Sequence, residues 1–248
     1  MKGMLVLCVW LFLALPQECP GYILPAEEII RSVASQVSRF ESLLVEQVVR
    51  QTMETGSRDV TTYRERVMMK APDSFITEVL EGSLSPGIPR PDSRYRILFL
   101  LNSAASLTRL LRDLGIDLQQ VTYAGLERYI AYRIGGVEPE SPQILVEKDT
   151  FLPLHLVYTA PETGSKVKVH FRDYRRAGGR WYPFQVTITQ GGAMTLHTAH
   201  SIQPDVTFLF PFGAPPRKAA PSPAGPSAPW DQDKEERVRQ LIRAFEEM

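Results

Sequence analysis

The sequence predicts an α+β fold: a strongly curved antiparallel sheet, an incomplete β-barrel, with helices covering its concave face. Three observations lead there. Lys166-Val167-Lys168-Val169-His170-Phe171-Arg172 and Gln185-Val186-Thr187-Ile188-Thr189-Gln190 alternate polar and apolar side chains. Successive side chains on a strand point to opposite faces, so this spelling describes a sheet with one apolar and one wetted face. Between about Ser42 and Phe212 the links joining such segments are mostly short, with no strand–helix–strand rhythm, which excludes a parallel sheet. Two segments, near Ile29 and Leu107, carry apolar stripes at helical spacing that a sheet face can take up.

The elements follow in order. Pro25-Ala26-Glu27-Glu28 opens a helix, with proline near the first turn and acids where the helix dipole favours them. Ile29, Ile30, Val33, Val37 and Phe40 then share one stripe, so the helix should run to about Ser38 and lie on the sheet. Strands are expected at about 42–52, 59–69 and 74–81, with a hairpin-like link at Thr55-Gly56-Ser57 and a turn at Lys70-Ala71-Pro72-Asp73. Gly82 to Pro91 reads as an exposed loop, and Tyr95 to Leu101 as a further apolar strand. Asn102 or Ser103 caps a second helix striped by Leu107, Leu110, Leu111 and Leu114 and stopped by Gly115. Strands are then expected at about 118–123, 127–134, 143–149, 153–160, 165–173, 181–190 and 194–203, with Arg175 to Arg180 as a hairpin tip and Phe208-Leu209-Phe210 closing the sheet.

Around this domain, 22–212, the composition changes twice. Residues 1–21 read as an export signal: Lys2, an unbroken apolar run from Met4 to Leu15, then Pro16 and a small-x-small option at Cys19-Pro20-Gly21. That run is too short for a stable membrane anchor, and export points to the periplasm. Both cysteines, Cys8 and Cys19, fall in the segment, so cleavage beyond Cys19 leaves no thiol for a disulfide or a cysteine–metal site. Pro16-Gln17-Glu18 lacks the small residues that lipidation of Cys19 would need. Residues 213–230 are rich in Pro, Ala, Ser and Gly and read as an extended linker. In 231–248 a capping box at Asp233 and Glu236 precedes an amphipathic helix with Val238, Leu241, Ile242 and Phe245 on one face.

The 28 basic and 28 acidic residues cancel, which removes any bulk pull toward nucleic acid. No catalytic set, cofactor motif or metal cluster emerges. His197 and His200 are three apart on a strand and face opposite ways; with His155 and His170 they read as solvent-face or rim residues. Gly82-Ser83-Leu84-Ser85-Pro86-Gly87 lacks the spacing and framing of a nucleophile elbow. The paired glycines at 135–136, 178–179 and 191–192 are turns rather than phosphate loops. Arg172, Arg175, Arg176 and Arg180 read as a soluble hairpin tip, with contact to lipid phosphate as the functional alternative.

Several short motifs occur in a familiar order: Phe40-Glu41-Ser42 entering the first strand, Lys70-Ala71-Pro72 ending the second, Val146 to Leu154, and Pro204 to Phe210 at the close. The chain thereby resembles the superfamily of LolA-like lipoprotein carriers, LolB-like acceptors and RseB-like sensor domains over about residues 27–212. The resemblance implies an incomplete barrel whose apolar concave side, under helices, holds acyl chains. Carriers of the family place an arginine just before the proline of the early turn, where it helps hold the covering helices; this chain has Ala71 there.

The expectation is therefore a non-enzymatic, monomeric periplasmic protein that accommodates acyl chains of lipids or lipid-modified proteins, or carries lipoprotein to the outer membrane. The alternative is a sensor or adaptor acting on an envelope protein. In register, Tyr63, Val67, Met69, Leu154, Leu156, Tyr158, Val167, Val169, Phe171, Phe184, Val186 and Ile188 line the inner face. Leu107 and Leu111, with Leu241 and Phe245, are the lid candidates.

Overall fold

The computed structural model describes residues 23–37, 40–53, 60–84 and 90–208. The first helix, α1, spans Ala26–Val37, and the Pro25 carbonyl accepts from the Glu28 and Ile29 amides at its start. Its stripe of Ile29, Ile30, Val33, Ala34 and Val37 is buried. Three strands follow: β1 (Ser42–Met53), β2 (Thr61–Lys70) and β3 (Ser74–Glu81). A 3-10 segment, Arg94–Phe99, leads into α2 (Ala104–Asp113). Ser103 caps α2 by accepting from the Ser106 amide, and Gly115 ends it at φ 81°, where only glycine is unstrained.

Seven strands complete the chain: β4 (Val121–Leu126), β5 (Tyr129–Gly135), β6 (Gln143–Glu147), β7 (Pro153–Thr159), β8 (Lys166–Ala177), β9 (Arg180–Gln190) and β10 (Ala193–Pro204). Among the described residues they build one ten-stranded antiparallel sheet in the order β3-β2-β1-β10-β9-β8-β7-β6-β5-β4. Neighbouring strands are consecutive in the chain except where β10 returns to pair with β1, Val49 opposite His197. That pairing joins the first and last strands in mid-sheet and leaves β3 and β4 as free edges, so the sheet is not closed into a barrel.

The expected elements appear with shifted ends and two substantive differences. The hairpin tip is Gly178-Gly179 alone, both at positive φ, because a two-residue link matches the strand twist; Arg175 and Arg176 belong to β8 itself. Residues 95–101 are not a strand. Arg94–Phe99 forms a 3-10 turn whose amides bond locally, Arg96 to the Ser93 carbonyl and Leu100 to that of Ile97. A short apolar run reads alike as buried strand or buried turn, and here tertiary packing decides. Phe208 lies outside any strand, and 209–210 lie outside the described residues. The signal at 1–21, the linker at 213–230, the terminal helix at 231–248 and the lid candidates Leu241 and Phe245 also lie outside them.

Candidate functional site: the concave face and its cover

Alternation along the strands decides what faces inward. On β1 these are Leu43, Val45, Gln47, Val49 and Gln51; on β2, Tyr63, Glu65, Val67 and Met69; on β10, Ala193, Thr195, His197 and Ala199. Of the residues expected to line the inner face, Val67, Met69, Leu156, Tyr158, Val167, Val169 and Ile188 are wholly buried. Phe171, Val186 and Tyr63 are nearly so, and all but Tyr63 pack into one cluster with the covering segments. Leu154 goes elsewhere. Register shifts at Leu145/Val146 where β6 meets β7, and Leu154 packs with Ala124, Ala131 and Leu145 in a separate, smaller cluster. Phe184 is only partly buried, with the Arg175 guanidinium 4.5 Å from its ring centre.

The cover has three parts. The α1 stripe and the leucines of α2, with Leu107 and Leu111 each 1% exposed, supply two. The third is the segment around Arg94–Phe99, which buries Tyr95, Leu98, Phe99, Leu100 and Leu101. Phe99 meets Tyr182 and Phe171 with ring centres 4.8 and 5.9 Å apart, and Tyr95 meets Phe171 at 6.0 Å. Two expected helices would have left inner surface bare, and this segment fills it. The concavity is thus a packed, covered face rather than an open groove.

The 3-10 segment is also tied down by polar groups. Ahead of it, the Asp92 carboxylate accepts from the Tyr158 hydroxyl at 2.8 Å and the Arg94 amide at 2.9 Å, while the Asp92 amide donates to Gln190 Oε1 at 2.8 Å. At its middle the Arg96 side chain, 2% exposed, reaches inward polar residues of two strands, β2 and β10. Arg96 Nη2 lies 3.1 Å from His197 Nδ1 and 3.7 Å from Glu65 Oε1. Gln47 Nε2 joins the same two groups, at 2.6 Å from Glu65 Oε1 and 2.8 Å from His197 Nδ1. A guanidinium only donates, so His197 Nδ1 is an acceptor and its proton sits on Nε2. Burial first, then the Arg96 charge, pushes the His197 imidazole well below its usual range and keeps it neutral. Burial likewise raises the Tyr63 phenol to about 12.

Several donors of this cluster have no partner: Arg96 Nε and Nη1 and His197 Nε2, with the Gln51 Oε1 acceptor farther along the same face. Sequence reasoning missed the cluster, although the signal was there. Glu65 has the same parity as Tyr63 and Val67, so a β2 that turns Val67 inward must bury Glu65 as well. His197, expected on the solvent face or a rim, is 5% exposed because it shares the inward parity of Thr195 and Ala199; His200 is exposed. His155 and His170 face each other across β7 and β8 with rings stacked 4.0 Å apart. Burial, followed by His170 and Lys168, lowers the His155 pKa to about 3.

Two clefts flank the covered face. One, of about 590 Å³, is walled by Leu152, Leu154, Phe171, Tyr174 and Trp181 and rimmed by Glu127, Arg128 and Arg172, the last paired with Glu127. Phe171 therefore contributes one side to the inner core and another to this cleft. The expected arginine tip is in part neutralised and stacked, since Arg175 pairs with Asp173 at 2.7 Å and Arg176 lies over Trp181. The other cleft, about 630 Å³, runs between α1 and α2 past Arg31, Arg109 and Arg112. Among the described residues no group of three or more His, Cys, Asp or Glu is arranged to hold a metal ion.

No family model matches the chain, and a search of curated proteins finds no match. Solved structures do resemble it. A LolA superfamily protein from Nitrosomonas europaea is 10% identical, with 73% of this chain and 94% of that chain covered at a TM-score of 0.46. A domain described as an outer membrane lipoprotein-sorting protein, from Vibrio parahaemolyticus, is 8% identical, with coverages of 73% and 93% and a TM-score of 0.47. A DUF1329 family protein from Desulfovibrio piger is 12% identical, with coverages of 74% and 93% and a TM-score of 0.44. Among the described residues the chain itself is an open ten-stranded antiparallel sheet with few helices.

Proposed function

We propose that this chain is a periplasmic, non-enzymatic binding protein that accommodates the acyl chain of a lipid or lipid-modified protein against the inner face of its half-barrel. Val67, Met69, Leu156, Tyr158, Val167, Val169, Phe171, Val186 and Ile188 would form the seat. Leu154 and Phe184 would mark its margin near the Phe171 cleft, and Tyr63 its polar end. The observation that carries this reading is the cover. A broad apolar face is closed by short helices and one 3-10 turn, and that turn is held by a polar cluster with unmet hydrogen-bonding groups. Such a turn can be exchanged for a ligand more cheaply than a strand of the sheet could be removed.

The magnitudes suit reversible uptake. Burial is worth about 0.8 kcal/mol per methylene, so one long acyl chain brings roughly 10 kcal/mol gross. The chain must displace side chains that already cover the same surface, and only the surplus appears as affinity. A carrier needs that moderation in order to release its cargo. In this reading Leu107 and Leu111 act as lid residues along with the 3-10 segment.

Purification from periplasm without detergent, followed by lipid extraction and mass spectrometry, tests the proposal. Stoichiometric acyl lipid is expected, and repeatedly empty protein that also fails to take up fluorescent fatty acid would end it. The adaptor reading draws support from one observation: edge strand β3 exposes Phe75, Ile76 and Leu80, and an edge can accept a partner's strand.

A further inference from the structure

The inner row of β2 runs from polar to apolar: Tyr63, Glu65, Val67, Met69. A long amphiphile has the same polarity along its length. At the polar end the cover delivers Arg96, buried to 2% exposure, with Nε and Nη1 unpartnered, beside a His197 whose Nε2–H is also unpartnered. A buried donor left without an acceptor is costly, and a guanidinium offers paired N–H groups that match a carboxylate. The partner already present is a loose one. Glu65 stands 3.7 Å from Arg96 Nη2, beyond hydrogen-bond range, and its short contact is with Gln47 at 2.6 Å.

Resting on the acyl-binding reading above, we propose that Arg96, supported by His197, is the head-group site of the covered inner face, and that it takes the carboxylate of a fatty acyl chain whose tail lies along Val67 and Met69 once the cover has moved aside. The 3-10 segment rides outward over the incoming chain, and Arg96 exchanges Glu65 for the ligand's carboxylate. Glu65 then acts as a competing anion that tempers affinity and returns to Arg96 on release. A chain whose carboxyl is esterified lacks the charge and is held by its tail alone. The site therefore ranks a free fatty acid above an ester of the same length.

The test is a titration of the full-length protein at about pH 8, where the acid is ionised, with hexadecanoate, its methyl ester and hexadecylamine. The wild type is expected to bind the acid at least about tenfold more tightly than the ester, and the amine more weakly than either. Arg96→Gln should bring acid and ester to parity. Because that variant removes a buried group and Glu65→Gln gives up a counter-charge, the wild-type comparison of acid with ester carries the test by itself. Glu65→Gln, which keeps a polar partner for Gln47, adds a second arm: the acid-to-ester preference should rise, which a merely structural role for Arg96 does not predict. Equal binding of acid and ester by wild type, or a preference unchanged in Glu65→Gln, overturns the head-group assignment and leaves acyl binding standing. If neither acid nor ester binds, the acyl reading itself fails.

Discussion

Helix α1 and the Arg94–Phe99 turn cover the same sheet by different means. The helix is seated by an aliphatic stripe, Ile29, Ile30, Val33 and Val37, each residue at most 2% exposed. Each such side chain contributes about 2 kcal/mol of burial, and no polar group qualifies it. The turn combines aromatic burial with Asp92, Arg96 and their partners, and some of those polar groups remain unmet. Apolar seating is unconditional, since water never competes well for it. Polar seating is conditional: removing charge, changing pH or offering a better anion alters its balance. The molecule thus has a fixed half-cover and an exchangeable one.

Breaking the buried pair should have the largest effect. Glu65→Leu leaves the Arg96 guanidinium buried without a counter-charge and should cost about 3–5 kcal/mol in urea unfolding. Adding Arg96→Met to Glu65→Leu should recover most of that loss, because an apolar pair replaces an isolated charge. On the fixed side, Ile29→Ala should cost about 3 kcal/mol by leaving a cavity under α1. It should leave the acid-to-ester preference unchanged, which separates the two halves of the cover.

Acid should act on the conditional half and on the β7/β8 pair. The unfolded chain takes up protons on its histidines near about pH 6.5. In the fold, His155 resists protonation to about 3, and His197 is depressed in the same direction. The unfolded state therefore binds more protons between about 6.5 and 3, so the stability present above that window is lost as pH falls through it. Urea midpoints measured from about pH 8 to 4 should decline, and His155→Phe should flatten part of the slope. The smallest effect belongs to the outer face. Arg66 pairs with Glu46 at 2.8 Å and Glu78 at 3.7 Å, but it is 37% exposed. Arg66→Ala should cost no more than about 1 kcal/mol, and less in high salt.

The sheet was legible in the sequence because period-two alternation is a local signal. Val167, Val169, Phe171, Val186 and Ile188 all face inward as their spacing requires. The cover was only half legible. Helical stripes identify α1 and α2, but Arg94–Phe99 carries an apolar run too short to distinguish a turn from a strand. Whether it joins the sheet depends on β10 returning to pair with β1, a contact between distant parts of the chain. Leu154 escaped for a related reason, because a shift of register is invisible to alternation. The polar cluster was missed by attending to the apolar members of each row. Glu65 and Gln47 occupy inward positions by parity, and Arg96 became the partner of Glu65 only once the turn lay across the face.

Hydrogen–deuterium exchange with and without a long-chain fatty acid tests the central claim most directly, namely that a chain enters by displacing the polar-seated turn. On loading, the amides of Arg96 to Leu100 should exchange faster while those of α1 stay unchanged and those of β2 and β10 become better protected. Saturating fatty acid that leaves the turn's exchange unaltered, or that loosens α1 instead, would contradict it.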